Sequence, residues 1–224
     1  MKQTAGQSRR GMLALLLILL SGTSPCYALP FFDFYGFSYV VGQPLTVGSV
    51  VTVPARLNTI QPDPIWPLDF NLNEYTITVD ALEIVAVDVY GPVVNVTFAS
   101  STIGLYRDPM QNSDFTPGPP NALVPATFVD GEPELTGVLS DMVMMFNSAT
   151  GNGTVSGSIA WTGGSRLPEL ASPDGWTYFG GVSNHTDLGI PDGYDLAWDP
   201  QIYGPEVPVP VESGSWGRIK QLYR

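Results

Sequence analysis

Cysteine is almost absent from this chain, and the one present, Cys26, stands at the edge of the first hydrophobic segment. If that segment is removed, neither disulfide staples nor thiol chemistry remain. Histidine is as scarce, with only His185 in Ser183-Asn184-His185-Thr186. Histidine metal clusters and Ser-His-Asp hydrolysis are therefore unsupported, and neither a Gly-x-Ser-x-Gly elbow nor a phosphate-cradling glycine loop with lysine occurs. Basic side chains are few: nine Lys and Arg stand against 21 Asp and Glu, for a net charge of −12. Phosphate backbones are repelled by such a surface, which removes nucleic acid from the partner list. Long apolar runs are missing too. The longest, Met12 to Leu20, falls well short of the roughly 20 residues that a helix needs to cross a bilayer.

That short run is informative in its setting. Lys2, Arg9 and Arg10 precede it, and Ser21 to Ala28 follow with small residues at Cys26 and Ala28, the order of a cleavable signal peptide. Residues 1–28 are expected to direct export and to leave no transmembrane anchor, while the residues before Cys26 lack a lipoprotein pattern. All acidic residues lie beyond Ala28, so the exported part is more acidic than the whole chain. It is long enough to bury a core without cross-links.

Strand signals dominate the rest. Apolar residues alternate in Tyr75 to Asp80 and again in Thr154 to Thr162, where Val155, Ile159 and Trp161 share a face with Gly157. Leu82 to Tyr90 and Val93 to Phe98 are valine-rich stretches around the turn Gly91-Pro92. Asp141 to Phe146 is apolar on both faces, which suggests a central strand. Further strands are expected at 38–41, 49–55, 103–106 and 126–129. The opening Phe31 to Phe37 reads first as an ordinary strand packed on its own sheet, at its edge, and second as one given to a neighbouring subunit. Pro173-Asp174-Gly175-Trp176 and Pro191-Asp192-Gly193-Tyr194 are similar turns, each delivering an aromatic residue to a strand. These features predict an all-β antiparallel β-sandwich, Ig-like or jelly-roll-like, over residues 29–204, with long loops at 57–73, 108–123 and 166–175. An outer-membrane barrel fits less well, given the long loops and an ending on Arg224 after a prolyl stretch.

Residues 205–214 read as an extended linker, and residues 215–224 as a short basic amphipathic tail. Trp216, Ile219 and Leu222 share one side of that tail, with Lys220 and Arg224 elsewhere, as a docking or sorting element requires. The ending Ser215-Trp216-Gly217-Arg218-Ile219-Lys220-Gln221-Leu222-Tyr223-Arg224 resembles the W-G-x-I-K-x-L-Y-R endings of uncharacterised exported bacterial proteins. Asn73 to Thr76 and Pro120 to Glu132 resemble features of the same group. The resemblance implies a bacterial envelope or secreted setting and no particular activity.

Two binding sites are candidates. Loop aromatics Trp66, Trp176, Trp198 and Tyr203 could stack on sugar rings, or their rings could plug the ends of the fold. Asp187, Asp192, Asp195 and Asp199 lie in a Gly- and Pro-rich segment that could hold a structural calcium ion, although no EF-hand spacing is present. Glu132 and Glu134 flank Pro133 and are the carboxylates to weigh for a glycosidase. No catalytic residue is assigned and no other cofactor is expected. The leading expectation is a non-enzymatic envelope or extracellular protein with a structural, surface or assembly role and a protein or glycan partner. A calcium-assisted carbohydrate-binding module follows, then a carboxylate glycosidase. The sequons at Asn95, Asn152 and Asn184 would matter only in a eukaryotic host.

Overall fold

The computed structural model describes residues 31–41, 45–60, 66–116 and 125–205. The proposed signal peptide, residues 206–214 of the linker, and the tail bearing Trp216, Ile219, Lys220, Leu222 and Arg224 lie outside the described residues.

Nine strands make one antiparallel sheet: β1 (Phe32–Val41), β2 (Val50–Ile60), β3 (Glu74–Tyr90), β4 (Val93–Phe98), β5 (Ser101–Asp108), β6 (Glu132–Asn147), β7 (Asn152–Gly163), β8 (Trp176–Ser183) and β9 (Leu196–Tyr203). β4 and β5 run in the same direction along β3, from Tyr90↔Val93 to Glu74↔Asp108, and both also pair with β6. They act as one strand interrupted at Ala99 and Ser100. Each strand then pairs with its successor in the chain, and β9 returns to pair with β1. The result is an eight-stranded up-and-down barrel. One circuit of the ladder returns to β1 displaced by roughly ten residues, which tilts the strands as closure requires.

The expected sandwich is thus corrected to a closed barrel. Alternation of apolar and polar residues describes one buried face equally well in either architecture. The pairings that close the wall, such as Phe32↔Ile202 and Ser38↔Leu196, join the two ends of the domain. β1 is also no edge strand, since β2 flanks its other side. Its apolar residues on both faces follow from double burial: Phe32 and Phe34 lie in the main core, while Phe37 and Tyr39 lie in a second cluster with Phe115, Phe128 and Tyr194. The strand expected at 126–129 is a 3-10 turn, Ala126–Phe128. It begins after Pro125 and sinks Phe128 into that second cluster, a tertiary contact that outweighs local strand preference. The two-sided apolar reading of Asp141 to Phe146 is corrected too, for Met142, Met144 and Phe146 are buried while Met145 is 54% exposed.

Large rings fill the interior because glycines stand opposite them. Gly36 pairs with Trp198, Gly137 with Trp161 and Gly157 with Tyr178. A Cβ on Gly36 would fall 2.4 Å from that of Ala55, and one on Gly137 would fall 3.0 Å from the Trp161 ring. Such small-with-large pairing fills a barrel without voids. On β7 the outer wall carries Thr154, Ser156, Ser158 and Thr162, all exposed, while Val155, Ile159 and Trp161 are buried. This is the reverse of the apolar outer band of a membrane-spanning barrel. No helix among the described residues is long and apolar enough to cross a membrane.

Candidate functional sites on the barrel

One end of the barrel is closed by a charged plug. Pro133 cannot donate to the ladder, and the register shifts there, so that Leu105 faces Leu135 while Tyr106 faces Pro133. The extra residue, Glu134, is 1% exposed. Its Oε2 accepts a hydrogen bond from Trp66 Nε1–H at 3.2 Å. Its Oε1 lies 3.2 Å from Arg107 Nε and 3.6 Å from Arg166 Nε. The Arg107 contact is charge pairing without hydrogen-bond alignment. Burial pushes the Glu134 carboxyl above the usual carboxylate range, while Arg166, the Trp66 hydrogen bond and Arg107 hold it back. The Arg166 guanidinium also sits 5.8 Å from the Trp66 ring centroid, a cation–π contact. Glu132 and Glu169 take the outer sides of Arg107 and Arg166. Every member of this cluster is turned on another member, which is the arrangement of a plug.

The sequence candidates divide accordingly. Trp66 lies on this plug, and Trp176 beside it packs on Phe31 and Trp161 at 5.2 and 6.2 Å. Trp198 is deeper, 1% exposed, with its Nε1–H on Ser38 Oγ at 2.6 Å. Trp176 and Trp198 belong to β8 and β9 rather than to loops. No exposed tryptophan platform is formed by the three, and only Tyr203 reaches the outer wall, where its hydroxyl meets Gln201 at 2.5 Å.

The four aspartates are not gathered. Asp187 sits in the 3-10 turn Thr186–Leu188, and Asp192 is exposed in the following turn. Asp195 accepts the Val40 N–H at 2.7 Å. Asp199 faces outward from β9, its carboxyl pushed up by burial and by the negative charge of Asp33. No group of three or more His, Cys, Asp or Glu able to hold a metal occurs among the described residues. His185 turns its Nε2 to the Thr150 carbonyl at 2.7 Å, so it ties the segment after β8 to the β6–β7 turn.

Among the described residues, the wall carries recesses that the sequence did not announce. One, of about 380 Å³, lies over Gly181 between Tyr35, Leu188 and Asp199. The larger, about 620 Å³, runs over β3, β5 and β6, with Thr78, Asp80, Thr102, Gly104, Tyr106 and Thr136 on its floor. Its side is formed by Ala126 and Val129, held against β3 by Thr76 Oγ1–H donating to the Phe128 carbonyl at 2.9 Å. The bulge at Ala81, whose φ is 56°, opens a continuation past Asp80 to Ser100 and Ser101. Tyr106 lies back along the wall across Gly104: a Cβ there would fall 2.6–2.8 Å from its ring and hydroxyl. Among the described residues, the Asp80 carboxylate and the hydroxyls of Thr102 and Tyr106 take no hydrogen-bond partner. A glycine two residues before a tyrosine was the only signal in the sequence, and it has meaning only once both face outward.

No family model, no curated protein and no solved structure matches this chain.

Proposed function

We propose that this protein is exported and works outside the cytoplasm as a non-enzymatic structural or surface component, making its contacts with the outside of the barrel wall. The observation that carries this reading is the filled interior: Phe34, Trp161, Tyr178 and Trp198 occupy the space where a ligand-binding barrel keeps its cavity. Export is supported by the basic, apolar and small-residue order of residues 1–28. A non-enzymatic role is supported by Glu134, whose carboxylate is engaged by Trp66, Arg107 and Arg166 rather than presented to a substrate.

The test is the amino terminus of the protein recovered from cells expressing the full chain. A mature protein beginning at Leu29 and found outside the cytoplasm is expected, with retention inside when Met12 to Leu20 is deleted. An intact Met1 in the cytoplasm would overturn the reading. Turnover of any glycan that is abolished by Glu134→Gln would replace the non-enzymatic role with a glycosidase.

A further inference from the structure

We propose that the groove over Gly104 binds a neutral oligosaccharide of pyranose units, with the Tyr106 ring as its stacking surface. Three observations converge on that chemistry. The first is the posture of Tyr106. An aromatic side chain on a sheet normally stands off it, but the missing Cβ at Gly104 lets this ring lie along the wall. One ring face then meets the sheet and the other meets the groove. A flat, outward ring is what the C–H face of a pyranose stacks on, and a tyrosine keeps its hydroxyl free at the rim.

The second is the lining. Hydroxyls of Thr78, Thr102 and Thr136 surround the ring, and Asp80 brings a carboxylate. Sugars offer vicinal hydroxyls that donate to a carboxylate and exchange hydrogen bonds with threonines. The unspent donors and acceptors on Thr102, Tyr106 and Asp80 match that demand. Val129 and Val138 add apolar contact at 39% and 41% exposure. A purely apolar guest would strand the polar groups, at a cost.

The third is what the fold forbids. Under the groove β3, β5 and β6 are each paired on both sides, so a peptide cannot bind there by strand addition. The chain's net charge of −12 and the Asp80 carboxylate repel anionic glycans and phosphates. A groove of about 620 Å³ has room for two or three sugar rings, and its extension past Ala81 to Ser101 continues the path. The proposal stands on the groove alone, whether or not the chain is exported.

The experiment is titration calorimetry of the protein with cellohexaose, chitohexaose, maltohexaose and xylohexaose, backed by co-sedimentation with the matching insoluble polysaccharides. Binding to at least one is expected, weakened roughly tenfold or more by Tyr106→Ala. Thr102→Val should weaken it less, and Gly104→Val should abolish it by displacing the ring. Phe179→Ala, on the opposite part of the wall, should leave it unchanged. Circular dichroism melts identify any variant that has lost its fold; for Gly104→Val in that event, Tyr106→Ala decides. No binding to any of the four sugars would overturn the proposal. So would binding that survives Tyr106→Ala, or that Phe179→Ala reduces equally.

Discussion

The plug at Trp66 and the groove at Tyr106 are built from similar parts, an aromatic ring beside a carboxylate, and differ in where the polar atoms point. In the plug, the Trp66 Nε1–H, both Glu134 oxygens and two guanidiniums are turned on each other. In the groove, the Tyr106 hydroxyl and the Asp80 carboxylate are turned outward and unspent. A side chain whose polar atoms are turned inward on partners of opposite charge or hydrogen-bonding character contributes to folding, whereas one with spare outward capacity is equipped to bind. Burial follows the same division: Trp66 is 3% exposed, while Tyr106 is half-buried.

That contrast can be broken by mutation, starting where the effect is largest. Trp66→Ala is expected to cost about 3 kcal/mol of stability, a fall of roughly 6–12 °C in melting temperature for a domain of this size. Glu134→Ala should cost about 2 kcal/mol by leaving Arg107 and Arg166 without their shared carboxylate. The loss is moderated because both arginines are partly exposed and keep Glu132 and Glu169 as partners. Urea unfolding of the two variants checks both figures.

The titration of Glu134 sharpens the comparison further. Its carboxyl is raised above the ordinary 4.5, chiefly by burial, so the folded state holds this proton more tightly than the unfolded state does. The stabilisation associated with that proton is fully present below 4.5 and is lost as pH rises through the folded value. Glu134→Gln removes this dependence while keeping an acceptor for Trp66. Melts of wild type and variant should therefore draw apart in the variant's favour as pH rises from 4.5, by an amount that shows the direction of the shift. Parallel curves would mean that the arginines cancel the burial.

In the groove, Tyr106→Ala should change stability by no more than about 0.5 kcal/mol, since the ring lies on the outer wall and belongs to neither hydrophobic cluster. A loss as large as that for Trp66 would erase the distinction between the two regions. The smallest effect is expected inside the barrel. The Tyr178 hydroxyl is buried without a hydrogen-bond partner among the described residues, and burial raises its pKa strongly. Tyr178→Phe should be neutral or slightly stabilising, within about 0.5 kcal/mol, because it removes an unsatisfied group.

Local chemistry was legible wherever one strand carries its own signal. Alternation in Thr154 to Thr162 matches the inward Val155, Ile159 and Trp161, and Gly91-Pro92 does turn β3 into β4, with Gly91 at φ 61°. The turn before Trp176 likewise starts β8 with that ring buried. Three tryptophans read from sequence as loop platform or plug proved to be buried, two of them on strands: Trp198 takes the space left by Gly36 opposite it, while Trp66 packs on Phe32 and Trp176 on Phe31 and Trp161. Four nearby aspartates were separated by strand and turn geometry, which proximity in sequence does not encode.

What the chain alone determined is the alternation, the turns and the acidity: each depends on residues a few positions apart or on a simple count. Closure was decided by tertiary structure, through the β1–β9 pairing between segments about 160 residues apart in sequence. So were the inward carboxylate of Glu134 and the groove over Gly104. A bulge shows its consequence only against its partner strand, and an empty place above a glycine becomes a site only when the wall beneath it and the turn beside it are both in position.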